Sequence, residues 1–156
     1  MSATLRGLGL CVDDLSATWS TTFAPNINPG TIVEDDTGHK YIFVYNTGST
    51  SITQYYPAFH ASTGTSGWVA NTGFTGATKC IAGICMTAIG SSEYGWACIR
   101  GFVTAYCTAA VGTVGWGMVG GTIALATATA TGDVIVGQAI VTNTQAGTCI
   151  IKMLIG

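Results

Sequence analysis

Tyr94-Gly-Trp-Ala-Cys-Ile-Arg-Gly101-Phe-Val-Thr-Ala-Tyr-Cys107 alternates large and small side chains and is rich in aromatic and β-branched residues, a pattern of strand and not of helix. Drawn as one long strand, it puts Tyr94, Trp96, Cys98, Arg100 and Phe102 on one face. Gly95, Ala97, Ile99, Gly101 and Val103 fall on the other, mostly small enough for a second backbone to approach closely.

The segments on either side repeat the theme. Upstream, Thr31–Glu34 is joined through Asp35-Asp-Thr-Gly38 to Lys40-Tyr-Ile-Phe-Val-Tyr-Asn46, a hairpin whose Asp and Gly supply the turn geometry. Its second strand is apolar on both faces, with Tyr41, Phe43 and Tyr45 alternating with Ile42 and Val44. Further strands are expected over Ser51–Tyr56, limited by Pro57, over Trp68–Ala70 and over Ile81–Ile89. Downstream, Val134–Thr142 and Thr148–Leu154 flank a turn at Asn143–Gly147 and form a second hairpin. Ala124–Thr131 is low in complexity and is strand or loop. No segment has the apolar stripe of a long amphipathic helix. The expected class is all-β: a β-sandwich or small β-barrel of antiparallel strands. Residues 1–29, with Pro25, Asn26, Asn28 and Pro29, read as an extended N-terminal arm, and residues 30–156 as a single β-domain.

Charge is the second informative feature. The chain has 156 residues, of which only five are Lys or Arg and seven Asp or Glu. Soluble domains carry about a quarter charged residues. A domain of this size leaves roughly 30% of its unfolded-chain surface in water, so that surface is built mostly from Thr, Ser, Ala, Gly and Asn. Such a skin provides little repulsion between copies, and it suits a subunit covered by neighbours in an assembly. The charges are also uneven. Arg6, Asp13, Asp14, Glu34, Asp35, Asp36 and Lys40 lie in the first 40 residues, leaving Lys79, Glu93, Arg100, Asp133 and Lys152 for the rest.

A net charge of −2 with no Lys/Arg run argues against nucleic acid as a partner. The uncharged stretch from Gly101 to Gly132 is broken by Gly112, Gly115, Gly117, Gly120 and Gly121, so it is not a spanning helix, and no membrane partner is expected. The N-terminal apolar stretch is stopped by Asp13 and Asp14 and makes a poor signal peptide. Synthesis in a reducing cytoplasm then makes buried thiols the default for Cys11, Cys80, Cys85, Cys98, Cys107 and Cys149, with one late-forming disulfide as the alternative.

Several motifs that carry chemistry elsewhere are not expected to do so here. Gly115-Trp-Gly117-Met-Val-Gly120 matches a dinucleotide fingerprint, which works only between a strand and a helix, and no helical stripe follows it. Cys80, Cys85, Cys98 and Cys107 evoke a zinc site, but Cys98 and Cys107 are nine positions apart in one strand and so should face opposite ways. Glu34, Asp35 and Asp36 are consecutive, where calcium loops alternate their ligands, and read as a solvated turn. His39 and His60 sit in no catalytic signature, so no enzyme, cofactor or metal is expected. Trp68, Trp96 and Trp116 with Tyr55, Tyr56 and Tyr94 suit core or interface anchors better than a sugar-stacking platform.

The ordered series Gly30-Thr31, Asp36-Thr-Gly38, Tyr41–Asn46, Pro57-Ala58, Trp68-Val69, Ile81-Ala-Gly83-Ile84, Tyr94–Val103, Val136-Gly-Gln-Ala139 and Lys152–Ile155 resembles the head decoration, or cement, proteins of tailed bacteriophages. The resemblance covers Gly30 to Gly156. It departs at Gly115-Trp-Gly117, where members often place a Gly-Asp turn.

The resemblance implies a small β-domain without enzymatic activity on the outer capsid surface of the virion, made in the host bacterial cytoplasm. Its partners would be the major capsid protein and copies of itself, as a homotrimer or homodimer, bridging capsomers and stabilising the shell. The residues expected at protein interfaces are Arg6, Leu8, Leu10, Trp19 and Phe23 of the arm, with Tyr55, Tyr56 and Trp116 of the domain. The alternative is a carbohydrate- or receptor-binding virion protein that uses exposed aromatics.

Overall fold

The computed structural model describes residues 15–20, 26–60, 69–71, 81–107, 117–120, 125–126, 135–141 and 147–154. Eleven strands lie among them: β1 (Trp19–Ser20), β2 (Ile32–Glu34), β3 (Lys40–Asn46), β4 (Pro57–His60), β5 (Val69–Asn71), β6 (Ile81–Cys85), β7 (Glu93–Cys107), β8 (Gly117–Gly120), β9 (Leu125–Ala126), β10 (Ile135–Ala139) and β11 (Gly147–Leu154). The protein is all-β. Its strands hydrogen-bond into an antiparallel sheet that does not close into a barrel, with short parallel contacts of β5 with β3 and of β9 with β7. Among the described residues no helix is long and apolar enough to cross a membrane.

The 15-residue β7 is the spine, well beyond the usual strand of five or six residues. Its first half pairs with β3, from Tyr45↔Tyr94 to Lys40↔Arg100, and with β6 at Ile84↔Cys98 and Cys85↔Ala97. Its second half pairs with β11 in unbroken register, from Arg100↔Leu154 to Cys107↔Gly147. The two halves differ in burial. Around the first half both faces are packed: Tyr41, Phe43, Trp96 and Cys98 on one side, Ile42, Val44, Ala97 and Ile99 on the other. The two-sided apolar pattern of Tyr41–Val44 is therefore a buried central strand. Burying a side chain such as Phe43 or Phe59 contributes roughly 1.5–3 kcal/mol each.

Between Lys40 and Tyr41 the β7 partner jumps from Arg100 to Cys98, leaving Ile99 as an extra residue, and Gly101 follows at φ +108. This bulge reverses the alternation. Val103, Ala105 and Cys107 take over the face that Trp96 and Cys98 began, whereas strict alternation placed Val103 with Ala97 and Ile99. The same reversal corrects the expectation that Cys98 and Cys107 face opposite ways: both belong to one core. The small residues admit side chains, not a second backbone. A Cβ on Gly95 would meet Ile89, and one on Gly101 would strike the ring of His39.

Three other expectations change. Ser51–Tyr56 is not a strand limited by Pro57: Ile52 makes one bridge to Ile89, Tyr55 turns the chain at φ +67, and Pro57 opens β4. A first strand position tolerates proline because no ladder donor is needed there. Second, Cys107 and Cys149 form a disulfide across β7 and β11, while Cys85 and Cys98 are free and buried as expected. Third, the described parts of the arm sit on the domain. Leu15 is buried in the core, Trp19–Ser20 pairs with Tyr94 and Glu93 of β7, and Ile27 packs against the same cluster. Arg6, Leu8, Leu10, Phe23, Trp68 and Trp116 lie outside the described residues.

Asn46, fully buried at the end of β3, organises the loops beyond it. Its Nδ2 shares two hydrogens among the carbonyls of Thr50, Ile89 and Gly90, and its Oδ1 accepts from Gly48 N–H.

Candidate interaction surface

The hairpin turn between β2 and β3 builds the first part of the surface. Asp35 was expected in a solvated turn, yet it is only 5% exposed. Its Oδ1 accepts from Thr37 N–H (2.9 Å), the Thr37 hydroxyl (2.7 Å) and His39 N–H (2.9 Å). Its Oδ2 lies 3.0 Å from His39 Nδ1 and accepts from the Tyr41 hydroxyl at 3.2 Å. Burial alone would raise the Asp35 pKa, but the hydrogen bonds from Thr37 and His39 outweigh it and bring it down to about 2. Gly38, at φ +85, lets the chain turn tightly around this carboxylate.

The same network fixes the His39 tautomer. Thr37 gives its single hydroxyl proton to Asp35, so towards His39 Nδ1 its oxygen can only accept, at 2.6 Å. The ionised Asp35 also only accepts. Nδ1 therefore carries the proton and the neutral ring leaves Nε2 as its lone pair. The imidazole lies across Gly101 and meets Phe102 edge-on, with ring centroids 6.3 Å apart and planes at 77°.

Here the turn, β7 and β11 enclose a cleft of about 540 Å³ lined by Thr37, Gly38, His39, Arg100, Gly101, Phe102, Lys152 and Met153. Strand register places its two cations, since Arg100 stands opposite Lys40 of β3 and Lys152 opposite Phe102 of β7.

The cleft is one end of an open sheet face. In the second half of β7, Val103, Ala105 and Cys107 point inward with Cys149, Ile151 and Met153 of β11. The other side carries Phe102 and Thr104 of β7, Thr148, Ile150 and Lys152 of β11, and Gln138 of β10. Ile140, just past β10, donates its N–H to the Ile150 carbonyl and extends this face. A half-buried antiparallel sheet ordinarily shows polar residues to water. Instead Phe102 is 56% exposed, Ile150 44% and Ile140 36%, with Val141 beside it in sequence also exposed. A grouped set of exposed large apolar side chains marks an interaction surface.

Of the residues the sequence put forward, Trp19 is not on this face. It packs on Phe43 at 5.7 Å in a ladder with Tyr94 and Tyr45. Tyr55 and Tyr56 are half-buried. Tyr56 stacks on Tyr106 at 4.8 Å, and Tyr106 donates its N–H to the Tyr55 carbonyl. Tyr106 shares its side of β7 with Phe102 and Thr104, so this pair borders the open face. Phe102, Ile140, Ile150, Arg100 and Lys152 were not singled out. Their signal was present only in β11, where Thr148, Ile150 and Lys152 alternate with Cys149, Ile151 and Met153, but Ile150-Ile151 conceals which set points outward.

The imagined four-thiolate set does not assemble, since Cys107 is bonded to Cys149 and Cys85 and Cys98 pack in separate clusters. Among the described residues no three His, Cys, Asp or Glu side chains converge as metal ligands. Gly117–Gly120 is a strand paired with β9 and β10, so the described part of the glycine motif lies in a sheet, and Gly115 and Trp116 fall outside the described residues.

Fold and surface together define a small antiparallel β-domain that offers one apolar sheet face with a cationic cleft at its end. The chain is similar in fold to the N base of head fiber gp8.5 of bacteriophage phi29, with a TM-score of 0.54 over 73% of this chain and 94% of that one. At 8% sequence identity the likeness is one of fold. The chain matches no protein-family model and no curated protein sequence.

Proposed function

We propose that the chain is a virion structural protein, a decoration or cement protein that binds the outer surface of the assembled capsid shell and bridges capsomers. The observation that carries this reading is the fold shared with the phage head fiber base over 94% of that domain. The scarcity of charge and the open face of Phe102, Ile140 and Ile150 support it, since both suit a surface covered in an assembly. Catalysis is no part of the reading. Thr37, the hydroxyl beside His39, sits on Nδ1 with Asp35, so it is not placed for Nε2 to activate it.

In this reading the open face meets the shell or a second copy, and residues 1–14, with Arg6, Leu8 and Leu10, reach a neighbouring subunit. Many modest contacts on a closed shell then act together through effective concentration. The test mixes the purified chain with expanded heads that lack it. Saturable attachment at a fixed copy number, with a higher temperature of DNA release, is expected. Failure to sediment with heads overturns the proposal. Removing residues 1–14 should weaken attachment and leave the fold intact, because the packed Leu15 and Trp19 are kept.

A further inference from the structure

From the placement of its cations we infer that the His39–Arg100–Lys152 cleft is a carboxylate-binding site that receives an acidic segment of a protein partner, with an apolar side chain of that segment against Phe102. The inference rests on the virion reading only for the identity of the partner.

Two of the chain's five Lys and Arg residues line this cleft, and Lys40 stands opposite Arg100 in the sheet. Like charges directly opposed on neighbouring strands destabilise a sheet. Stability therefore gives no reason for the clustering, and ligand binding does. Lys40 has Glu34 nearby at 4.0 Å, whereas Arg100 and Lys152 have no ion-pair partner among the described residues. Among the described residues, no carboxylate lines the cleft. The nearest buried one, Asp35, is enclosed by donors from Thr37, His39 and Tyr41, so its lone pairs are occupied.

The chemistry favours a peptide carboxylate over a phosphate polyanion. Half of the lining is uncharged and non-polar, from Gly38, Gly101, Phe102 and Met153, and Phe102 offers an aromatic face beside the cations. Arg100 can hold a carboxylate by two parallel N–H donors while Lys152 adds a point charge. The net charge of −2 repels a nucleic acid at longer range.

The test titrates the full chain with the N-acetylated, C-amidated peptide Leu-Glu-Glu-Leu and with its glutamine counterpart. Amide resonances of residues 37–39, 100–102 and 152–153 should move with the glutamate peptide. The glutamine peptide should bind about fivefold more weakly, the range of an exposed ion pair, as should the chain carrying Arg100→Gln or Lys152→Gln. Both side chains are exposed, so these variants fold, and Arg100→Lys should bind between the wild type and Arg100→Gln, since it keeps the charge and loses the paired donors. Equal affinity for both peptides, tighter binding of inorganic phosphate or oligothymidylate, or no resonance shift at millimolar peptide each overturns the inference. Attachment to heads separates it from the wider proposal. If Arg100→Gln and Lys152→Gln coat heads as well as the wild type, the cleft assignment fails and the capsid reading stands. If the wild type binds the peptide but no heads, the reverse holds.

Discussion

The imidazole of His39 occupies the space where a side chain at position 101 would begin, so that the glycine just past the β7 bulge and the histidine of the β2–β3 turn are fitted to each other. Gly101 also sits at φ +108, a conformation that residues with a Cβ rarely adopt. Gly101→Ala should destabilise the fold by about 1–3 kcal/mol from backbone strain alone, and by more from the collision. In a His39→Ala background the collision vanishes, so the same substitution should cost at least about 1 kcal/mol less. Urea unfolding of the four proteins checks this, and strict additivity contradicts it.

Acid should loosen the turn. Asp35 ionises near pH 2 when folded, against an ordinary value of 3.8, so the folded state prefers the carboxylate. Its stabilisation is complete above about pH 4 and is lost as pH falls towards 2. Asp35→Asn removes an acceptor from Thr37 and His39 and should cost about 1–3 kcal/mol at pH 7. It should also flatten the acid limb of a plot of stability against pH, measured by denaturant titration.

The disulfide ties positions 42 residues apart. Loop-closure entropy for that length corresponds to about 4 kcal/mol. Cys107→Ser, or reduction with dithiothreitol, should lower the thermal midpoint by several degrees. An unchanged midpoint would show that β11 holds to β7 by its ladder alone.

The remaining described thiols should be inert. Burial pushes the Cys85 thiol up to about 12, and burial, with a smaller push from the Asp35 charge, does the same for Cys98 against an opposing backbone hydrogen bond at Arg100. Neither is a thiolate at neutral pH. Peptide mapping after iodoacetamide should find both unmodified in the native protein and both alkylated in guanidinium.

Substitution on the open face should separate folding from attachment. Ile150→Thr keeps a β-branched side chain at an exposed strand position and should change stability by less than about 0.5 kcal/mol. Attachment to heads should nevertheless weaken measurably. A loss of stability instead would place Ile150 in the fold and not at its interface.

Much of this architecture was legible because local patterns were unambiguous. Asp35–Gly38 announces its hairpin, the alternation of Tyr41–Tyr45 announces a strand covered on both sides, and β7 and the β10–β11 hairpin appear nearly as drawn. What escaped depends on pairing across the sheet. Ile99 and Arg100 look like ordinary members of a strand, and only the register against Lys40 and Tyr41 shows the extra residue. Once the bulge is missed, every assignment beyond it is inverted, and the shared core of Cys98, Cys107 and Cys149 is invisible. The open face was missed for the same reason. Aromatic residues drew attention to Trp19, which packs on Phe43, while the exposed Ile140 and Ile150 look like core in a one-dimensional pattern. Asp35 was misread because consecutive acids suggest water, and its donors come from a turn geometry that composition does not encode.

The extra residue at Ile99 divides β7 into an anchor and a display. Substitutions at 102, 104, 148 or 150 fall outside the packing around Phe43 and Trp96, so the outward side chains of the second half are free to drift while its inward ones, Val103, Ala105 and Cys107, stay constrained. A lineage carrying this domain can thus acquire a new docking preference by altering a few outward side chains, leaving its scaffold untouched.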